Sequence, residues 1–243
     1  MTEHRPPVAE FYDDAARQWD ATHLDRQNPV FRKRLYGSLA TLLEPTRGGN
    51  LAIELGAGTG PYLELVAPMF RRLVCTDVSA GMLEVLENRR RQLGLGNVES
   101  RLEDAAELSG FADGLADAIY SVGMFETIAE PARIFAAARR VLRVGGAFAG
   151  ITSNGSCPWY PLRQRLEGGE RAGHIVRFMT AGEVRAFAIA TRFEVEMVDC
   201  WGLVPPGLSG TFAARVLDAV GSALHATPLG RFLGVLAFRL IAR

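Results

Sequence analysis

Lysine is almost missing from this chain. Lys33 is the only one among 27 basic residues, and arginine supplies the rest. That bias reads as the codon usage of a GC-rich genome rather than as a functional signature. Cysteine is scarce as well. Cys75, Cys157 and Cys200 lie far apart, with no C-x-x-C pair and no Cys/His cluster, which argues against a disulfide framework or a structural zinc site. Net charge is absent too: 27 basic residues balance 27 acidic ones, a poor match to a phosphate backbone, so no nucleic-acid partner is expected. No stretch reaches the ~18 apolar residues of a membrane-spanning helix, and the apolar tail at 229–243 is cut by Arg231 and Arg239. The start, MTEHRPPVAEFYDD, lacks the apolar core of a secretory leader. Unpaired cysteines and no leader or span together point to a cytoplasmic protein.

What is present is core material. Of 243 residues, 48% are hydrophobic, enough for one large α/β domain spanning 1–243. Residues 1–45 read as a helical cap with two apolar stripes, one through Phe11, Tyr12, Ala15, Ala16 and Trp19 and another from Val30 to Leu43. Strands are predicted at 51–55, 72–76, 98–102, 116–121 and 147–152. Helices are predicted at 61–69, 79–93 and 131–142, with Ser79 as an N-cap and Gly94 as a stop. This βαβ alternation predicts a mostly parallel sheet covered on both faces. Residues 50–152 form the core. The Gly/Pro- and aromatic-rich stretches 153–178 and 202–228 read as insertions on the ligand side, the second containing a helix at 212–224. A helix at 180–190 and strands at 193–201 and 235–242 complete the chain. The 212–240 region reads as a helix across the sheet edge followed by the last strand. Its apolar face with flanking arginines leaves weak peripheral membrane association as the alternative.

The sharpest local feature is Glu54-Leu55-Gly56-Ala57-Gly58-Thr59-Gly60, between a strand and a helix. Dinucleotide loops need G-x-G-x-x-G; here the spacing is G-x-G-x-G, preceded by an acid. A carboxylate aimed at this loop repels a pyrophosphate and suits a cationic ligand. Asp77 ends the second strand, where an acid accepts hydrogen bonds from ribose hydroxyls. Alone it reads equally as a surface acid or helix cap.

These residues resemble the class I S-adenosylmethionine (SAM)-dependent methyltransferases, in particular their quinone-type and natural-product small-molecule branch. Glu54, Gly56, Gly58 and Gly60 match the family's first motif, with Ala57 inside it. Asp77 matches the second, with Val78, Ser79 and Met82 at or just after it. Asp104 and Ala105 resemble the adenine segment, Asp117 to Ser121 the fourth-strand motif, and Arg140 to Gly146 the turn before strand five, with Val144 where proline is usual. The resemblance implies a Rossmann-like seven-stranded, mostly parallel sheet with helices on both faces and the last strand antiparallel. It further implies an N-terminal helical cap, a substrate-side insertion and SAM as cofactor. Tyr12 and Trp19 fall in a segment similar to one that folds over the cofactor, and read equally as a core face.

In the metal-dependent branch, the stretch after strand four resembles E-x-x-E-H. Here Gly123 and Thr127 replace the first acid and the histidine, leaving Glu126, so metal-independent activity is expected. Glu126, Trp159, Tyr160 and Trp201 are candidates for the substrate side. His174, in a segment similar to H-x-x-x-F-x-T, is the candidate catalytic base, or else a structural or surface imidazole. The implied activity is methylation of a small organic acceptor, first of all O-methylation of a phenol, enol or carboxyl group, with N- and C-methylation left open by the same scaffold. A SAM-binding protein that catalyses rearrangement or cyclisation, or acts in regulation, is the alternative. A homodimer is compatible with the sequence.

Overall fold

A computed structural model of the chain describes residues 7–160, 177–205, 208 and 210–243. His174 and most of the insertion at 153–178 lie outside the described residues. One seven-stranded sheet organises the rest, in the order β3-β2-β1-β4-β5-β7-β6. Its strands are β1 (Leu51–Leu55), β2 (Arg72–Asp77), β3 (Val98–Leu102), β4 (Ala116–Val122), β5 (Leu142–Ser153), β6 (Phe193–Trp201) and β7 (Val235–Ala242). The first five are parallel, and β7 runs antiparallel between β5 and β6. The central strands are fully buried, as a sheet covered on both faces requires.

Two apolar layers flank the sheet. On one face, α5 (Pro131–Val141) and α6 (Ala181–Ala190) pack onto Phe125, Phe135, Phe148 and Phe238. On the other, α2 (Pro29–Leu43), α3 (Leu63–Val66) and α4 (Ala80–Gln92) cover Leu39, Leu43, Leu63 and Leu86. Before α2, helix α1 (Pro7–Ala15) and a wide helical turn (Asp20–Leu24) form the cap. After β6, α7 (Thr211–His225) is held to α2 by a 2.7 Å Arg34–Asp218 ion pair. Its outer face exposes Phe212, Val216 and Val220. Among the described residues, no helix is long and apolar enough to cross a membrane.

Two predicted elements differ from the structure by more than one residue. The helix expected at 61–69 is cut to Leu63–Val66, because Pro68 lacks an N–H and restrains Ala67. Strand β5 begins at Leu142, five residues early, because residues 143–146 bulge out between the Ala116–Leu142 and Ala118–Ala147 pairs. Ser79 is the N-cap of α4, as expected, and accepts the Met82 N–H at 3.0 Å.

Gly150 leaves room for a neighbouring side chain within the sheet. It pairs with Phe238 across β5 and β7, and a Cβ there would lie 2.3 Å from the Phe238 ring. That ring is locked against Phe135 and Phe148, at 5.8 and 5.5 Å between centroids. Gly150→Ala is therefore expected to overpack the core by ~1–3 kcal/mol. A urea midpoint that falls with its slope unchanged would show it; an unmoved midpoint contradicts the packing.

Candidate functional site

The strand order reverses between β1 and β4, and the carboxyl ends of the strands there open into a cavity of about 670 Å³. The glycine loop forms its floor. Gly56, Gly58 and Gly60 all adopt left-handed φ, of 65°, 54° and 73°. At Gly56 a side chain would also meet Met124 at 2.7 Å, so the loop is both turned and closely covered. A Cβ at Gly58 would stand in open space, leaving bare backbone towards the cavity.

Asp77 closes this loop. Its Oδ2 accepts the Gly58 N–H at 2.8 Å and its Oδ1 accepts the Ser79 N–H at 2.9 Å. Burial raises its pKa; these backbone donors work against that rise, and the Asp13 charge adds to it. Across the cavity, Asp104 bends its own turn by accepting the Ala106 N–H at 2.8 Å, which presents Ala105 on the wall.

The cap folds onto this wall through two acids. Asp13 accepts from Ser79 Oγ at 2.7 Å and from the Gly81 N–H at 2.8 Å. Asp20 accepts from Thr59 Oγ1 at 2.6 Å and pairs with Arg89. Tyr12 and Trp19 thereby reach the cavity, edge to face at 5.2 Å. Burial first, then the charges of Glu126 and Asp77, push the Tyr12 hydroxyl up to about 12, so it stays a neutral donor at neutral pH.

The far end is more apolar. Phe31, Leu35, Ile151, Val235, Tyr62 and Tyr160 line it. Tyr160 stacks on Phe178 at 4.7 Å. Glu126 and Thr152 supply its polar groups. The Ser153 N–H holds Glu126 Oε1 at 2.7 Å. Charge on the cavity is one-sided among the described residues. Asp77, Glu103, Asp104, Glu126 and Glu130 face one guanidinium, Arg133, which is already within 3.7 Å of Glu130 and 3.4 Å of Glu107. A cationic ligand fits this lining, and a pyrophosphate does not.

Of the residues expected at the site, the cavity gathers Tyr12 and Trp19 from the cap, Gly56, Ala57 and Gly58 from the loop, and Asp77, Val78 and Met82 after β2. It also gathers Asp104, Ala105, Glu126 and Tyr160. Five others lie elsewhere. Gly60 turns away, packed by Leu86 and Leu63. Ser121 is fully buried in β4, off the wall. Trp159 is half exposed outside the cavity. Trp201 sits behind the wall, with the Arg34 guanidinium 5.4 Å over its ring and Phe31 between it and the cavity. Glu54 is buried beneath the loop, its carboxylate taking the Cys75 thiol at 3.5 Å.

Two residues passed over in the sequence belong to the wall. His23 stacks on Trp19 at 3.7 Å, and Thr22 Oγ1 lies 2.8 Å from its Nδ1. Partial burial lowers its pKa, so the imidazole is neutral at neutral pH. The four-residue spacing from Trp19 was the available signal. Thr152 carried none, because its place depends on how β4 and β5 align.

Residues 53–150 match the family described as a methyltransferase domain. Over 166 residues the chain is 30% identical to a demethylmenaquinone methyltransferase of Thermobifida fusca, spanning 68% of this chain and 69% of that protein. It is 29% identical over 207 residues to a malonyl-acyl-carrier-protein O-methyltransferase of Geobacter sulfurreducens, spanning 80% of this chain and 73% of that one. A solved structure of geranyl diphosphate C-methyltransferase from Streptomyces coelicolor A3(2) shares the fold, with a TM-score of 0.66 at 19% identity. That alignment covers 98% of this chain and 100% of that one.

Proposed function

Because the chain belongs to the class I SAM-dependent methyltransferases, we propose that it methylates an oxygen of a small organic molecule without help from a metal ion. The observation that carries this reading is that both halves of the proposed site line one cavity. One end has the glycine loop, Asp77 and Asp104; the other is aromatic and apolar with one carboxylate. In this reading Asp77 accepts hydrogen bonds from the ribose hydroxyls. Asp104 and the Ala105 N–H take the adenine edge, with Val78 and Met82 beside it. The bare backbone of Gly56, Ala57 and Gly58 allows close approach of the rest of the cofactor, and Tyr12 and Trp19 cover it. The excess of carboxylates on the wall favours a sulfonium cation.

SAM supplies a methyl group on a good, neutral leaving group. The protein therefore mainly positions the acceptor and excludes water. The cap does the latter, pinned by Asp13 and Asp20 over the loop. Gly123 and Thr127 stand where the metal-dependent branch carries an acid and a histidine, which supports a metal-free mechanism.

Incubation of the full chain with tritium-labelled SAM, a panel of small hydroxyl-bearing acceptors and excess EDTA tests the proposal. Label is expected in an acceptor, at a rate the chelator does not change. Conversion of an acceptor without label would instead mark a SAM-binding enzyme that does not methylate. Transfer that stops with EDTA and resumes with Mg²⁺ would contradict the metal-free part.

A further inference from the structure

The acceptor end of the cavity holds two buried polar atoms with no hydrogen-bond partner among the described residues: Glu126 Oε2 and Thr152 Oγ1. Thr152 is only 3% exposed. Leaving a buried oxygen unpaired is costly, so two on one wall call for a ligand that pairs them. They are neighbours by construction. Glu126 follows β4, Thr152 is the penultimate residue of β5, and the N–H of the next residue, Ser153, holds Glu126 Oε1 at 2.7 Å. The Arg177 N–H, entering from the far side, binds the Glu126 carbonyl at 3.3 Å. The position is thus braced from two directions while Oε2 stays unpaired.

The two atoms differ in what they offer. An ionised Oε2 only accepts, whereas a threonine hydroxyl also donates. Both are satisfied by one hydroxyl group that donates to Glu126 Oε2 and accepts from Thr152 Oγ1. A carboxylate acceptor would meet Glu126 as a like charge. Arg133, the one guanidinium among the described lining residues, is already engaged by Glu107 and Glu130. Resting on the methyltransferase reading, we infer that Glu126 and Thr152 form the acceptor subsite, that the acceptor is a neutral hydroxyl compound with an apolar frame, and that Glu126 is its general base. As the acceptor oxygen bonds to the methyl carbon, the C–S bond breaks and its electron pair returns to sulfur, converting the sulfonium to a thioether. The hydroxyl proton passes to Glu126 Oε2 and is later lost to water.

The experiment is calorimetry on the full chain saturated with S-adenosylhomocysteine (SAH). The probes are matched pairs of aromatic frames carrying either a hydroxyl or a carboxylate, such as 2-naphthol and 2-naphthoate. Hydroxyl members are expected to bind at least tenfold more tightly than their carboxylate partners. Glu126→Gln should narrow that preference at least fivefold, and Thr152→Val should weaken the hydroxyl members alone. Neither variant should change SAH affinity. Methyl transfer to the hydroxyl members should fall at least 30-fold in Glu126→Gln, chiefly in kcat. Equal or tighter binding of the carboxylates, or binding of neither class to the SAH-loaded wild type, would overturn the inference, and neither result depends on a variant folding. Failure to bind SAH at all would instead count against the methyltransferase reading itself.

Discussion

Replacing Asp77 with alanine is expected to weaken SAM binding 10–100-fold while the protein stays folded. The side chain has two jobs in one place. It closes the glycine loop by accepting the Gly58 and Ser79 N–H groups, at 2.8 and 2.9 Å, and it lines the cavity, where in the proposed reading it takes the ribose hydroxyls. Hydrogen bonds to a charged group contribute ~1.5–3 kcal/mol, which is the expected loss. Asp77→Asn separates the two jobs. Its amide oxygen keeps one loop bond, but its NH₂ cannot accept, so an intermediate loss is expected. Equilibrium titration with SAM reads both variants, and circular dichroism confirms the fold. An Asp77→Ala variant with wild-type affinity would place Asp77 outside the cofactor site.

Glu54→Gln should make the protein more stable at pH 8 and change how stability depends on pH. The register of β1 with β2 and β4 sets Glu54 beside Cys75 and Tyr120, deep in the sheet. Burial lifts its pKa from 4.5 to about 7; the Tyr120 and Cys75 side chains offset this only in part, and the Asp77 charge adds to it. The folded chain thus keeps a proton that the unfolded chain has already released. Its stabilising share is complete below pH 4.5 and is lost as pH rises through about 7. The size of that loss is about 3 kcal/mol. Glutamine cannot titrate, so the stability difference between variant and wild type should climb between about pH 4.5 and 7 and level off above that. Denaturant titrations across that range measure it, and a flat difference would mean that Glu54 is ionised without penalty.

Much of the fold is written locally. Strands β1, β3, β6 and β7 fall where short apolar or alternating runs end at turn residues, and α4 is bounded by the Ser79 hydroxyl at one end and the left-handed backbone of Gly94 at the other. The bulge at the start of β5 is not local, since it arises only when β4 aligns beside it. The proposed cofactor half of the site was legible for the same reason as the strands: the loop and Asp77 lie close in sequence and are joined through backbone N–H groups. The acceptor half was not. Phe31, Thr152 and Val235 come from three distant segments and meet only once the sheet is ordered. Trp201 has the composition of a pocket wall, but its position on β6 packs it against α2 instead. Glu54 shows the limit within a motif. Its presence was legible, whereas its depth below the loop follows from strands contributed far along the chain.

The most direct measurement is calorimetric titration of the full chain with SAM and with SAH in the presence of EDTA. Both are expected to bind at one site per chain in the micromolar range usual for enzyme ligands. A folded protein that binds neither would contradict the assignment of the glycine loop, Asp77 and Asp104 as a cofactor site.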